Sequence, residues 1–259
     1  MTKTEKKSFS RRMKIDKIYV ITIDHSQQNY DSIIGRLNLL CLPPTEYQIV
    51  EGVNGREQLS TPEDRKELGV EMYGGWKMED EYKWWNRPVT VGEAGLTLTK
   101  IRIWEDAYAK GYENILILED DFNPNQPIDW SGFNELEEFD YDLIYLSRIL
   151  QDGFSGVEDR RVGLRNFVSP GFSYQTHAYI LSRSGIKKLV ETNVPVLKQN
   201  LIAADEFLPA TYTWHPRQDL RCMFVQNMQA LALNSKPIGQ FRNETAGESL
   251  TAPIEGIDK

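Results

Sequence analysis

The stretch Asn114-Ile-Leu-Ile-Leu-Glu-Asp-Asp-Phe122 constrains this chain more than any other. Its unbroken apolar run has the pattern of a strand buried on both faces. The run then ends in three carboxylates, Glu119, Asp120 and Asp121. Open α/β sheets bind ligands just beyond the carboxyl ends of their strands, so the acids fall where a ligand is expected. Adjacent carboxylates repel one another and resist burial unless neutralised. A divalent cation, which hard oxygen ligands suit, is one neutraliser; the plainer alternative is a solvated acidic turn.

The surrounding pattern is that of an α/β sheet. Residues 17–24 read as a first buried strand, followed by the polar His25-Ser-Gln-Gln28. Residues 30–41 carry Ile33, Ile34, Leu37, Leu40 and Cys41 at helical spacing, closed by Pro43-Pro44. Residues 47–53 form a second strand with Asn54-Gly55 as its turn, a βαβ start that implies parallel pairing. Residues 56–88 are polar and aromatic-rich, with Tyr73, Trp76, Tyr82, Trp84 and Trp85, and read as an irregular excursion over the ligand edge. Thr90-Val-Gly-Glu93 then fits a capping box, and the helix it opens runs to a stop at Gly111.

Beyond the acids, residues 123–126 read as loop, 141–146 as strand, and 151–169 as a hairpin or loop. A strand over 174–182 and a helix over 185–192 follow. A short helix over 203–212 bears Asp205 and Glu206 in its first turn, where carboxylates suit the helix dipole. Residues 220–225 and 228–233 read as late strands, and the polar tail after Gln240 as loop or disorder. The expected organisation is a flexible basic tail over 1–14, one continuous domain over 15–250 and a short tail over 251–259.

A net charge of -8 without a basic stripe argues against nucleic acid as the main partner. No run has signal-peptide or transmembrane character. The two cysteines, Cys41 and Cys222, lack CxxC spacing and read as small core residues, so a reducing, cytoplasmic setting is expected. There is no P-loop, GxGxxG or serine nucleophile elbow.

Taken in order, several segments resemble glycosyltransferase family 25, the lipopolysaccharide and collagen-type galactosyltransferases. Residues 17–24 resemble its opening strand, and Val50-Glu-Gly-Val-Asn-Gly55 the turn that approaches the nucleotide base. Val91-Gly-Glu-Ala-Gly resembles its Gly-Glu-x-Gly helix start, and Ile117-Leu-Glu-Asp-Asp-Phe122 its acid motif. Ala204-Asp-Glu-Phe-Leu-Pro209 followed by His215-Pro216 is most similar to the collagen branch. The chain departs from the family in three places. Thr99-Lys100 stands where Ser-His is usual, and His25-Ser-Gln-Gln28 replaces a basic cluster. Gln240, Asn243 and Glu248-Ser249 occupy the region of a late His or Ser-Asp pair.

The resemblance implies a GT-A, Rossmann-like α/β fold with a mixed, mostly parallel sheet. It implies a UDP-sugar donor, most readily UDP-galactose, and Mn2+ or Mg2+ at the acid motif. Asp121 is then the first metal contact, with Glu119 and Gln240 as further candidates. Val53, Asn54, Gly55, Glu93, Glu119 and Asp120 are candidates for the nucleotide side, although Glu93 also reads as a cap. An inverting transfer needs a general base to take the acceptor's proton, and Asp205 and Glu206 are the candidates, Asp205 first. Trp76, Trp84 and Trp85 are candidates for stacking on sugar or acceptor, or for core. His177 and His215 read as structural. A peptide or saccharide acceptor is implied, and a homodimer stays open. The rival readings are a UDP-glucose enzyme of the same fold, a nucleotidyltransferase, and a degenerate nucleotide- or carbohydrate-binding module.

Overall fold

A computed structural model describes residues 13–42, 44–150 and 159–240. Most of the expected basic tail, the segment 151–158 and everything after Gln240 lie outside the described residues. In chain order the strands are β1 (Lys17–Thr22), β2 (Tyr47–Glu51), β3 (Asn114–Glu119), β4 (Phe122–Pro124), β5 (Leu143–Tyr145), β6 (Ile149–Leu150), β7 (Arg160–Arg161), β8 (Phe167–Ser169), β9 (Ser173–Tyr174), β10 (Ala178–Ser182), β11 (Ala230–Leu233) and β12 (Ile238–Gln240). The α-helices are α1 (Gln27–Leu39), α2 (Gly55–Gln58), α3 (Pro62–Glu67), α4 (Val91–Lys110), α5 (Arg183–Lys188), α6 (Val194–Lys198), α7 (Ala204–Ala210) and α8 (Gln218–Met223).

Eight strands form the main sheet in the order β2-β1-β3-β10-β5-β11-β8-β7. β1 pairs in parallel with β2 and β3, and β5 with β11. The other four pairings are antiparallel, so the sheet is mixed, with more antiparallel pairing than the sequence suggests. As β3 predicts, Ile115, Leu116, Ile117 and Leu118 are wholly buried. Alternate residues feed opposite layers. Tyr19, Ile21, Ile115 and Ile117 pack with α4 and α7 on one face. Ile18, Val20, Leu116 and Leu118 pack with α1 and Phe133 on the other. Each buried aliphatic side chain of these two layers contributes about 1.5–3 kcal/mol.

α4 is the long element laid along this sheet. Thr90 and Glu93 form the expected capping box, and Gly111 ends the helix in the left-handed conformation at φ 72. Its inward stripe is Ala94, Leu98, Ile101, Trp104 and Ala107. The loop after β2 docks on its first turns. The Val53 N–H donates to Thr99 Oγ1 at 2.7 Å, and two glycines permit the close approach. A Cβ on Gly55 would lie 1.7 Å from Val91 O, and one on Gly95 2.5 Å from Val53 O.

Several local expectations change. Residues 218–223 are helix α8, not strand, because Leu220 and Phe224, four apart, both turn inward, with Asp219 in the first turn. Of the loop expected over 123–126, Asn123 and Pro124 belong instead to the short strand β4, held by β12. The strand expected over 174–182 is broken at Gln175, which sits at φ 73, dividing β9 from β10. Of the hairpin or loop expected over 151–169, the described part carries β7 and β8 paired antiparallel. The helix expected over 185–192 begins at Arg183 and loosens into a π turn over Leu189–Asn193. The excursion contains α2, α3 and a 3-10 turn over Lys83–Asn86. Both cysteines are exposed and free rather than core residues, which removes that argument about compartment. Among the described residues no helix is long and apolar enough to cross a membrane.

Alanine in place of glycine inside a helix ordinarily stabilises by about 0.5–1 kcal/mol. Gly95→Ala is expected to reverse that sign and destabilise by about 1–3 kcal/mol through overpacking against the Val53 carbonyl. Urea unfolding measures it; a stabilised variant would show that the loop after β2 is not seated on α4.

Candidate active site

Two adjoining cavities open at the carboxyl edge of β1 and β3. The first, about 210 Å³, is lined by the Gly52–Arg56 loop, Ile21–Ile23, Gly92, Leu96, Thr99 and the three acids. The second, about 150 Å³, is lined by Trp84, Glu93, Leu96, Glu119, Gln175, Thr176, His177, Asp205 and Gln240 among others. Leu96 and Glu119 belong to both walls. The candidates Val53, Asn54 and Gly55 therefore line one chamber with Glu119, Asp120 and Asp121, and Asp205 and Gln240 line the next.

Each acid of the motif meets a different partner. Glu119 Oε1 accepts from Lys100 Nζ at 2.6 Å, and that lysine is wholly buried. Asp120 accepts a short hydrogen bond from the Thr22 hydroxyl. Burial pushes its pKa up, and Arg36 opposes that by charge. Asp121 Oδ2 accepts from Gln240 Nε2, an encounter prepared by β12, whose register sets Gln240 opposite Phe122. Its Oδ1 is buried with no hydrogen-bond partner. Burial first, and the Glu119 charge second, push the Asp121 pKa up to about 7. A buried, partnerless carboxylate oxygen fits an oxygen-seeking divalent ion. Among the described residues, no three His, Cys, Asp or Glu side chains converge as a cage. The acids thus offer an ion one principal carboxylate, with Gln240 beside it, the mode in which substrate phosphates and water complete the shell.

The neighbouring carboxylates Asp205 and Glu206 part company at the start of α7. Asp205 faces the second cavity. Its Oδ1 accepts from Thr176 N at 3.0 Å and Thr176 Oγ1 at 2.7 Å, and its Oδ2 from Gln175 N at 3.2 Å. Glu206 is wholly buried and accepts from Trp85 Nε1 at 3.2 Å and His215 Nε2 at 2.8 Å. His215 Nδ1 accepts the Arg217 N–H at 3.0 Å, so the proton sits on Nε2, facing Glu206. Glu206 and His215 thus lock Trp85 and the Arg217 turn in the core, away from the cavity.

Glu93 closes the Thr90 cap and also holds Arg87 through both oxygens, at 2.9 and 2.6 Å. Arg87 in turn stacks over Trp84, 3.9 Å from the ring centroid. The three tryptophans divide accordingly. Trp76 and Trp85 are core, whereas Trp84, 39% exposed, is the one available to a ligand. His177 lies in the cavity wall, and burial pushes its pKa down, keeping it neutral.

Thr176 and Gln175 escape a reading for acids and histidines, and Lys100 enters it only as a departure from the family's usual Ser-His. A further signal for Lys100 is a cation inside the buried stripe of α4, between Leu98 and Ile101. Gln175 carries no such signal; its left-handed backbone, worth about 1–3 kcal/mol of strain, is the kind that gathers at functional clefts.

The sequence profile of glycosyltransferase family 25, described as a lipopolysaccharide biosynthesis protein, matches residues 15–208. The chain belongs to this family. It is 30% identical over 218 residues to procollagen galactosyltransferase 1-B of Xenopus laevis, covering 82% of this chain and 34% of that protein. It is 28% identical over 242 residues to human procollagen galactosyltransferase 2, covering 92% and 36%. A Bos taurus relative named probable inactive glycosyltransferase 25 family member 3 is 29% identical over 251 residues, covering 92% and 38%. The chain therefore spans well under half the length of these relatives. Its mixed α/β sheet agrees with the fold expected of the family.

Two outcomes follow for the carboxylates. The Asp121 pKa is higher folded than unfolded, so its contribution to stability is intact below about 4 and lost as pH rises through about 7. In EDTA, Asp121→Asn should raise Tm over wild type by an amount that grows from pH 5 to pH 8; a difference flat with pH would contradict it. Glu206→Ala takes the acceptor from the Trp85 and His215 donors and should cost about 2–5 kcal/mol in urea unfolding, whereas a loss under about 0.5 kcal/mol would place Glu206 outside the core network.

Proposed function

We propose that this chain is the donor-binding and transfer domain of a metal-dependent, inverting glycosyltransferase. It moves a hexose from a UDP-sugar, galactose first among the candidates, to a hydroxyl of a collagen-like hydroxylysine peptide or a saccharide. The observation that carries this reading is the pair of cavities sharing Glu119 as a wall, with Asp121 in one and Asp205 in the other. One chamber suits a nucleotide diphosphate and the other an acceptor, and the sugar to be moved belongs between them. Family membership and the procollagen galactosyltransferase relatives support the class of reaction.

In this mechanism the loop Val53-Asn54-Gly55, seated on α4, takes the uracil side of the donor, and Glu119 and Asp120 bound the ribose and phosphate side. Asp121, with Gln240 beside it, is the carboxylate assigned to Mn2+ or Mg2+. The bound ion would supply Lewis acidity toward the diphosphate leaving group. Asp205 is the base. Its Oδ1 is occupied by Thr176, while Oδ2 takes only the Gln175 N–H among the described partners. Oδ2 is thus the oxygen to receive the acceptor's proton as the hydroxyl attacks the anomeric carbon. Trp84 offers a flat face to the sugar or acceptor.

A second reading is a catalytically silent binding module. The relative named as probable inactive, and Thr99-Lys100 where the family usually has Ser-His, favour it. A UDP-release screen across nucleotide sugars with Mn2+, with collagen-like peptide and simple saccharide acceptors, separates the readings. The expected result is acceptor-dependent UDP release with UDP-galactose, a response to UDP-glucose alone naming the other donor. Asp121→Ala should lower it at least about 100-fold, and Asp205→Asn should lower kcat about 100-fold or more. No release with any donor sinks the transferase reading in favour of the silent module, and pyrophosphate in place of UDP points to nucleotidyl transfer. Near-normal turnover of Asp121→Ala removes the metal assignment.

A further inference from the structure

Lys100 is the one wholly buried ammonium in the described cleft, and neither the metal nor the base assignment uses it. Removing an ammonium from water costs several kcal/mol unless its hydrogens find acceptors. Its three hydrogens have three acceptors: Glu119 Oε1 at 2.6 Å, the Thr176 carbonyl at 3.0 Å and the Thr176 hydroxyl. No N–H is left over, so the position is fixed. The Thr176 hydroxyl accepts from Lys100, which itself cannot accept. Its single hydrogen therefore goes to Asp205 Oδ1, 2.7 Å away. One cation thus pairs with Glu119 directly and reaches Asp205 through a hydroxyl.

The same arrangement sorts the acid motif. Glu119 is matched by Lys100, and Asp120 is engaged by Thr22. Asp121 alone keeps a buried oxygen without a hydrogen-bond partner. We propose that Lys100 is the resident cation of the cleft, holding Glu119 out of a divalent ion's shell and leaving the ion to Asp121, so that it is held firmly only when a diphosphate supplies further oxygens. Lys100 is a positioning residue in this scheme, and Glu119 a wall between the chambers rather than a ligand. The proposal rests on the transferase reading above for the identity of the diphosphate.

The test is Mn2+ binding to the full chain, followed by the EPR signal of free Mn2+, with and without UDP. For wild type, UDP should tighten Mn2+ at least tenfold. For Lys100→Met, which keeps length and loses charge, Mn2+ without UDP should bind about tenfold tighter than to wild type, because a positive charge beside the acids is gone. A gain under threefold overturns the proposal. A crystal structure of wild type with Mn2+ and UDP decides the matter independently of whether Lys100→Met folds. Glu119 still on Lys100 with Asp121 on the ion supports the proposal, and a Glu119 oxygen bonded to Mn2+ overturns it. If wild type binds no Mn2+ even with UDP, the metal-dependent transferase reading falls and this proposal with it. If wild type binds both and Lys100→Met is unchanged, the proposal falls alone.

Discussion

Three carboxylates at the end of a strand buried on both faces set the physical problem that this fold solves. Ionised acids crowded at a low-dielectric edge repel one another and lose hydration. The solution here is dispersal. Lys100 from α4 answers Glu119, Thr22 from β1 answers Asp120, and Gln240 from β12 answers one oxygen of Asp121. Each partner comes from a different stretch of chain, so the motif cannot be assembled until the sheet, α4 and the β4–β12 pair are in place. Dispersal also explains why adjacency in sequence does not produce a converging cage. Each partner draws its carboxylate its own way, and among the described acids one buried oxygen, Asp121 Oδ1, is left without a hydrogen-bond partner.

What could be read in advance was what local chemistry decides. The apolar run of β3, the Thr90–Glu93 box and the Gly111 stop depend on residues within a few positions of one another, and all three stand as read. The errors lie where distant partners decide. Residues 123 and 124 look like loop until β12, more than a hundred residues later, pairs with them. Residues 220–225 carry enough apolar side chains for a strand, and only the shared inward turn of Leu220 and Phe224 selects a helix. Cys41 and Cys222 have apolar neighbours in sequence yet face solvent: Cys222 because a neighbour along α8 turns to a different face, and Cys41 because it lies past the end of α1, in a turn at φ 49.

Asp205 and Glu206 show the same limit at the scale of the site. Successive residues of a helix point about 100° apart, so two adjacent carboxylates at a helix start cannot share one environment. Sequence offers both as candidates, Asp205 first, without showing the partners that separate them. The choice is made by Trp85, far back in the chain, and by His215, whose proton is fixed on the Glu206 side by the Arg217 N–H. A buried acceptor serving Trp85 and His215 is committed to structure, and its neighbour Asp205 is the one that faces the second cavity.

The antiparallel strand β10 carries the last step. In a wholly parallel sheet, the ligand edge receives only residues that follow strands. β10 runs against β3 with Ala178 opposite Leu118, so the residues that precede it, Gln175, Thr176 and His177, arrive beside the residues that follow β3. The Glu119 N–H donates to the His177 carbonyl at 2.9 Å, which pins the two ends together. Thr176 is then within reach of both Lys100 and Asp205, and Gln175 within reach of both Asp205 and Gln240. One reversed strand therefore brings the acid motif and the α7 carboxylate to a common wall. The mixed character of the sheet is in this sense a property of the site as much as of the fold. An α/β edge built only from parallel strands would need a separate loop to make the same connection, with more conformational entropy to overcome.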